Sequence, residues 1–363
     1  MKKYLSLILV FAFALALTAC GGQEAEDEGG EQRASGDNVL YVYNYGDYIN
    51  PEVIDLFEEE YGVTVVYDVY DTPEEMYPVI KSSSVSYDVV CTTDYMHEKM
   101  RVNGLLEPLN FDLIPNAEYI ADYCKQFADM YDPGMKYTIP YAWGTVGIGY
   151  NSRNIPDGEL TGWADLWDEK YYDNIMMIDS LRDIFCVGLK YLGYSNNSAD
   201  EAELRAATDA LIEEKELVYK YDTDAIRDFL LNESADIGVI YSGELLYCQE
   251  EDEDIHYILP KEGSNVWLDC WSIPANAEHK ELAHAWLDFN CRPEISMLMY
   301  EYIHYSTPNA KTAEMVAELY PEDLENPALF PDEEALANCE VYNYLGAETE
   351  ALYNKLWKEI KAY

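Results

Sequence analysis

Aromatic rings and carboxylates stand side by side where several β-strands of this chain are expected to end. Tyr45, Asp47 and Tyr48 follow an apolar run at residues 39–43, and Thr93, Asp94 and Tyr95 follow another at 87–90. Asp179, Ser180 and Asp183 come after residues 176–178, Tyr241 closes the run 235–241, and Trp267 stands two places before Asp269. Such a mixture is a poor environment for an anion or an acyl intermediate and a good one for an organic cation. Each ring face attracts an ammonium group by about 0.5–2 kcal/mol, more when water is excluded. Carboxylates accept charge-assisted hydrogen bonds from N–H groups, and an alkyl chain lies easily between flat rings. Two or three carboxylates spaced along one slot suit a diamine or a polyamine. Any one of these aromatics serves as well in a core; all of them together do not.

The elements that must hold these residues alternate between strand and helix. A strand at 39–43 leads to a helix over 51–61, with Asn50 as N-cap, Pro51 in its first position and Gly62 as its stop. A strand at 63–70, a helix opened by Thr72, a strand at 87–90 and a helix through 105 continue the series. The pattern breaks at 137–145, a first crossing between two lobes, and a new strand begins at 146–150. The second series holds a helix at 163–167, a strand at 175–178, helices from 182 and over 199–216, and the strand 235–241. Residues 267–269 and 273–277 cross back, helices at 279–290 and 293–302 follow, and an amphipathic helix over 347–360 comes last. This alternation implies an α/β fold of two lobes, each a mainly parallel sheet flanked by helices, with a ligand cleft between them. The lobes are expected at residues 38–143 with 268–313, and at 144–267 with 314–363. Open α/β sheets bind ligands beyond the carboxyl ends of their strands, where the rings and acids stand.

Seventy Asp and Glu face 23 Lys and Arg, a formal net charge of −47 in 363 residues. No basic patch relieves it, so nucleic acid is excluded as a partner by repulsion from phosphate. A hydrophobic content of 49% supplies a core and excludes global disorder. Met1-Lys2-Lys3 precedes an apolar run at 5–19, shorter than the roughly 20 residues that span a bilayer. Residues 1–19 therefore read as a signal peptide. Leu17-Thr18-Ala19-Cys20 resembles a bacterial lipobox, making Cys20 the expected lipidation site and 20–37 an acidic flexible tether. The tether carries −5; with it and the two N-terminal lysines removed, −44 remains on residues 38–363. Seven further Cys, an odd number, show no metal-ligand spacing and are expected as small core hydrophobes.

No GxSxG, Walker A, HExxH, EF-hand loop or strand-following GxGxxG occurs. The glycines Gly144, Gly147 and Gly149 are spaced as a close-packed strand instead. His279 and His284, five apart, do not share a helix face and read as surface residues. Paired carboxylates can hydrolyse glycosides, but among 70 acids such pairs arise by chance. No catalytic residue, metal ion or cofactor is expected.

Ordered segments carry a resemblance to a known family: Tyr43-Asn44-Tyr45-Gly46-Asp47-Tyr48, Ile139-Pro140-Tyr141-Ala142-Trp143-Gly144, Thr161-Gly162-Trp163-Ala164-Asp165-Leu166-Trp167, Trp267-Leu268-Asp269 and Thr307-Pro308-Asn309. From about residue 39 onward the chain resembles the spermidine/putrescine-binding proteins of ABC transporters. The resemblance implies a two-lobed, periplasmic-binding-protein-like fold of type II that closes on its ligand by hinge motion. It further implies an exported, lipid-anchored monomer at the outer face of the cytoplasmic membrane. Such a protein delivers spermidine or putrescine to permease subunits and performs no covalent chemistry.

Carried over by position, the polyamine-contacting rings fall on Tyr45, Tyr48, Tyr95, Tyr241, Trp267 and Tyr305, with Tyr45 and Tyr241 replacing Trp. Thr93 stands for a Ser, Asp183 for a Glu, Asp269 for an Asp, Asp47 for a Glu near one end of the slot, and Tyr342 for a Gln. Ser180 occupies a carboxylate position, and on an extended segment its neighbour Asp179 points to the opposite face. The choice between spermidine and putrescine therefore stays open. The rivals are a receptor for a betaine or a basic amino acid, the latter needing an Arg such as Arg182, and a secreted hydrolase using paired acids.

Overall fold

The computed structural model describes residues 38–83, 85–331 and 333–363. The expected signal peptide, Cys20 and the tether lie outside these residues. β1 (Val39–Tyr45) leads to α1 (Pro51–Tyr61), which starts where Asn50 Oδ1 accepts the Glu52 N–H at 3.0 Å. It stops where Gly62 takes φ +65°, a left-handed conformation that costs glycine little. β2 (Thr64–Tyr70) runs parallel to β1. α2 (Pro73–Ser82), capped by Thr72, leads to β3 (Val89–Thr93) on the other side of β1. α3 (Asp94–Val102) and α4 (Asp122–Tyr131) cover this sheet.

β4 (Ile139–Asn151) unites what the sequence pattern divides into a crossing and a separate strand. All thirteen of its residues are buried. Pro140 sits beside a register irregularity, where a missing N–H is tolerated. The glycines are needed because a Cβ at Gly144, Gly147 or Gly149 would overlap Trp267, Tyr257 or Leu245. These are close-packed strand positions, as their spacing indicates.

The chain continues through β5 (Ile175–Met177), α5 (Leu181–Tyr191), α6 (Glu201–Glu214) and β6 (Val218–Tyr221). α7 (Ile226–Leu231), β7 (Ile237–Tyr241), α8 (Ser242–Glu251), β8 (Ile255–Ile258) and β9 (Val266–Ser272) follow. α9 (Lys280–Asn290), α10 (Pro293–Ile303), α11 (Ala310–Leu319), α12 (Glu333–Leu336) and α13 (Ala347–Ala362) complete it. The helix expected at 163–167 is a single 3₁₀ segment over those residues. β6 and β8 have four residues each, too few for apolar alternation to reveal them.

The strands follow the order β2-β1-β3-β9-β4-β7-β5-β6, with β8 also on β4. β1 with β2 and β3, and β5 with β6 and β7, are parallel, as helix-connected strands must be. The pairings of β9 with β3 and β4, and of β4 with β7 and β8, are antiparallel. The sheet is therefore mixed, because β4 and β9 enter as returning strands rather than as helix-linked repeats. Residues 139–145 of β4 pair with β9, and residues 146–151 pair with β7 and β8. Separate cores gather on the two ends: Ile148, Trp163, Phe185 and Leu356 on one, Leu40, Phe57, Trp271 and Trp286 on the other.

The seven cysteines described are buried and free, packed as small apolar groups. His284 departs from its surface reading. It is buried, its Nδ1–H donates to the Lys280 carbonyl at 2.6 Å, and its Nε2 accepts the Asn110 N–H at 2.9 Å. Among the described residues no helix is long and apolar enough to cross a membrane.

Candidate functional site

Strand register performs the first step of assembly. β3 and β9 set Thr93 opposite Asp269, β9 and β4 set Trp267 opposite Gly144, and β7 and β4 set Tyr241 opposite Val146. Tyr45 ends β1, Ser180 and Asp183 begin α5, Tyr305 follows α10, and Tyr342 precedes α13. These meet around a cavity of about 700 Å³. Every ring, hydroxyl and carboxylate carried over by position lines it except Asp47. Asp47 is exposed at φ +51°, in a left-handed turn that Asp tolerates and that leaves it outside the lining.

Asp269 is 8% exposed and accepts the Tyr48 hydroxyl at 2.8 Å. Burial pushes its carboxyl up to about 6, while the Tyr48 and Thr93 hydroxyls pull it back down. Asp183 lies in the first turn of α5, where the helix dipole favours negative charge. Its Oδ2 accepts from Ser180 Oγ at 2.5 Å and Tyr241 Oη at 2.7 Å, and its Oδ1 from Tyr342 Oη at 2.8 Å. Three hydroxyls thus fix the carboxylate without neutralising it, leaving lone-pair capacity for a cationic N–H. Asp179 is exposed and pairs with Lys361 at 2.6 Å. Ser180 faces the cavity in its place, and serves Asp183.

The rings form an edge-to-face series. Centroids of Tyr45 and Tyr48 are 5.5 Å apart at 89°, Tyr48 and Tyr305 6.0 Å at 71°, and Trp267 and Tyr305 5.0 Å at 88°. Each edge is attracted to the neighbouring face, which holds the wall rigid. Tyr95 donates its hydroxyl to Glu74 at 2.9 Å near the rim. Behind the wall, Asp94 is fully buried, accepts the Tyr95 N–H at 2.6 Å and has no partner on Oδ2 among the described residues. Burial pushes it to about 8.

Several lining groups escape a reading of the sequence. Glu74, Lys99 and Glu350 come from three helices that adjoin only in the folded chain. Arg182 also lines the cavity, but its Nη atoms donate to the Asn343 and Asn196 carbonyls and Asn197 Oδ1. Its guanidinium stacks 4.3 Å from the Tyr342 centroid, so it serves the wall rather than standing free for a ligand carboxylate. Gly243 leaves no signal at all: a Cβ there would penetrate the Tyr305 ring. Gly243→Ala is expected to displace that ring and weaken ligand binding on the order of tenfold, the loss of one ring contact. Unchanged affinity by titration calorimetry would show that Tyr305 is dispensable.

An α/β scaffold whose strand ends wall a cavity with fixed rings and acids has the form of a solute-binding protein. The chain belongs to the bacterial extracellular solute-binding protein family, whose profile matches residues 52–331. It is 31% identical over 363 residues to the spermidine/putrescine-binding periplasmic protein of Salmonella typhimurium, covering 100% of this chain and 99% of that one. It is 29% identical over 368 residues to the putrescine-binding periplasmic protein SpuD of Pseudomonas aeruginosa, covering 96% and 97%. Among solved structures, it is similar to the spermidine/putrescine ABC transporter substrate-binding protein PotD of Streptococcus pneumoniae. The TM-score there is 0.81 at 36% identity, over 90% of this chain and 99% of that one. The fold is thus the α/β fold of periplasmic binding proteins, and the family's function is binding rather than catalysis.

Proposed function

We propose that this chain captures a polyamine, spermidine or putrescine, outside the cytoplasm and hands it to the permease of an ABC importer. The observation that carries this reading is the pair of buried carboxylates, Asp183 and Asp269, each held by hydroxyls inside a wall of rings. Such a slot binds ammonium groups through charge and π-faces together. Four carboxylates line the cavity (Glu74, Asp183, Asp269 and Glu350) against two cations, Lys99 and Arg182. The excess of two negative charges calls for a ligand with at least two ammonium groups. The names of the relatives support the same class of ligand.

In this reading residues 38–143 with 268–313 form one lobe and 144–267 with 314–363 the other, closing over the ligand. Cys20 carries the lipid anchor, and the receptor works as a monomer. Ligand binding stabilises the folded form by mass action, about 2.7 kcal/mol at a hundred times Kd. A thermal-shift panel of putrescine, spermidine, glycine betaine, lysine and arginine tests it. The polyamines are expected to raise the melting temperature and the others to leave it unchanged; a shift from betaine or an amino acid alone overturns the assignment.

A further inference from the structure

Between Cys339 and α13 a short strap carries Tyr342 to the cavity, and its next residue, Asn343, makes contacts that no ligand requires. Its carbonyl accepts from Arg182 Nη1 at 3.1 Å, and its N–H donates to Asn197 Oδ1 at 2.8 Å. Both partners belong to the α5–α6 side of the molecule. Its side-chain Nδ2 points the other way, donating to Glu98 Oε2 at 3.2 Å and to the Met130 carbonyl at 3.1 Å. Glu98 is on α3 and Met130 on α4, which cover the β1–β3 side. The Tyr344 N–H adds a second donor to Glu98 Oε2 at 2.8 Å. Arg101 holds the other oxygen of Glu98 at 3.3 Å, so both oxygens of the carboxylate are engaged. Beside it Lys99 reaches Glu350 of α13 at 3.5 Å, its ammonium 5.4 Å from the Tyr344 ring centroid.

We propose that Asn343 and Glu98 form a latch that fastens the strap across the cleft and so sets how long the ligand is retained. Resting on the polyamine-receptor reading, the latch makes Asn343 a positioning residue. It touches no ligand itself, and acts by holding Tyr342, whose hydroxyl fixes Asp183. The two lobes of that reading meet at this residue, its backbone bonded to one side and its side chain to the other, with the Tyr344 N–H beside it. An interaction made only in the closed form stabilises that form alone, so it slows release without speeding capture. Glu98 suits this task because one carboxylate oxygen takes two N–H donors from consecutive strap residues, which a neutral side chain holds less firmly.

The test uses the mature chain and two variants, Glu98→Ala and Asn343→Ala, with Glu98→Gln as the conservative exchange. Stopped-flow measurements with putrescine and spermidine are expected to show dissociation at least tenfold faster in both alanine variants. Association should stay within threefold of wild type, and Glu98→Gln should fall between. Small-angle scattering without ligand is expected to show a larger radius of gyration for the alanine variants than for wild type, with melting temperatures little changed. Dissociation rates and radii both equal to wild type overturn the latch. If no polyamine binds the wild type while the radii still increase, the latch stands and the ligand assignment falls.

Discussion

Asp269→Asn is expected to lower polyamine affinity by about 2–5 kcal/mol, the cost of truncating one partner of a buried charge pair. The carboxylate is almost fully enclosed, so water cannot replace the lost contact, and the ammonium of the ligand would be desolvated against a neutral amide. The same group makes binding depend on pH. Burial raises it from 3.8 to about 6. Below pH 6 the proton competes with the ligand, and affinity falls about tenfold per unit. In the ligand-free protein the sign is opposite. A carboxyl with a raised folded pKa contributes most to stability below its unfolded value, and that contribution is lost as pH rises through 6, about 3 kcal/mol in all. A bound ammonium offsets this loss. Titration calorimetry at pH 5, 6 and 7.5 should show steep weakening toward acid in wild type and little change in Asp269→Asn. Wild-type affinity in the variant, or a flat profile in wild type, would remove Asp269 from the site.

The second large effect is expected at Asp183. Asp183→Asn removes the charge at the start of α5 and presents an NH₂ to hydroxyls that now donate to both oxygens. Ser180, Tyr241 and Tyr342 must turn to accommodate it, and the ordering of that end of the cavity goes with them. A loss of about 2–5 kcal/mol is expected, again as for a buried charged partner. Circular dichroism and melting of the ligand-free variant, close to wild type, would show that the fold persists. Affinity within threefold of wild type would place the second anchor elsewhere. Measuring spermidine and putrescine on both Asp variants also shows which ligand spans the two carboxylates, since only a ligand that reaches both loses affinity in each.

Much of the site was legible because its parts lie at strand ends and helix starts. Asn50, Pro51 and Gly62 bracket α1 by local rules alone, and Thr72 opens α2 in the same way. Tyr45, Tyr48, Thr93, Tyr95, Asp183, Tyr241, Trp267 and Asp269 stand where strand or helix boundaries point them into the cavity. Asp47 does not line the cavity: a matched position carries no conformation, and this residue sits exposed in a left-handed turn at φ +51°. β4 does not show as one strand in the pattern, because Pro140 lacks the N–H of a regular ladder and the run changes partners along its length. Each glycine instead makes room for a side chain that is distant in sequence. The burial of His284 escapes the sequence because periodicity does not show that Asn110 and the Lys280 carbonyl satisfy both ring nitrogens in the interior.

Taken alone, the sequence determines the alternation of strands and helices, the chemistry of rings and acids, and an acidity that belongs to residues 38–363 rather than to the tether. These depend on residue type and near neighbours, and short-range physics suffices to read them. Tertiary structure decides the rest: that Thr93 faces Asp269 and Gly144 faces Trp267, that three hydroxyls converge on Asp183, and that Asn343 ties both sides together. These depend on strand register and on contacts between residues far apart along the chain. No local pattern encodes them, because packing fixes them only when the sheet closes.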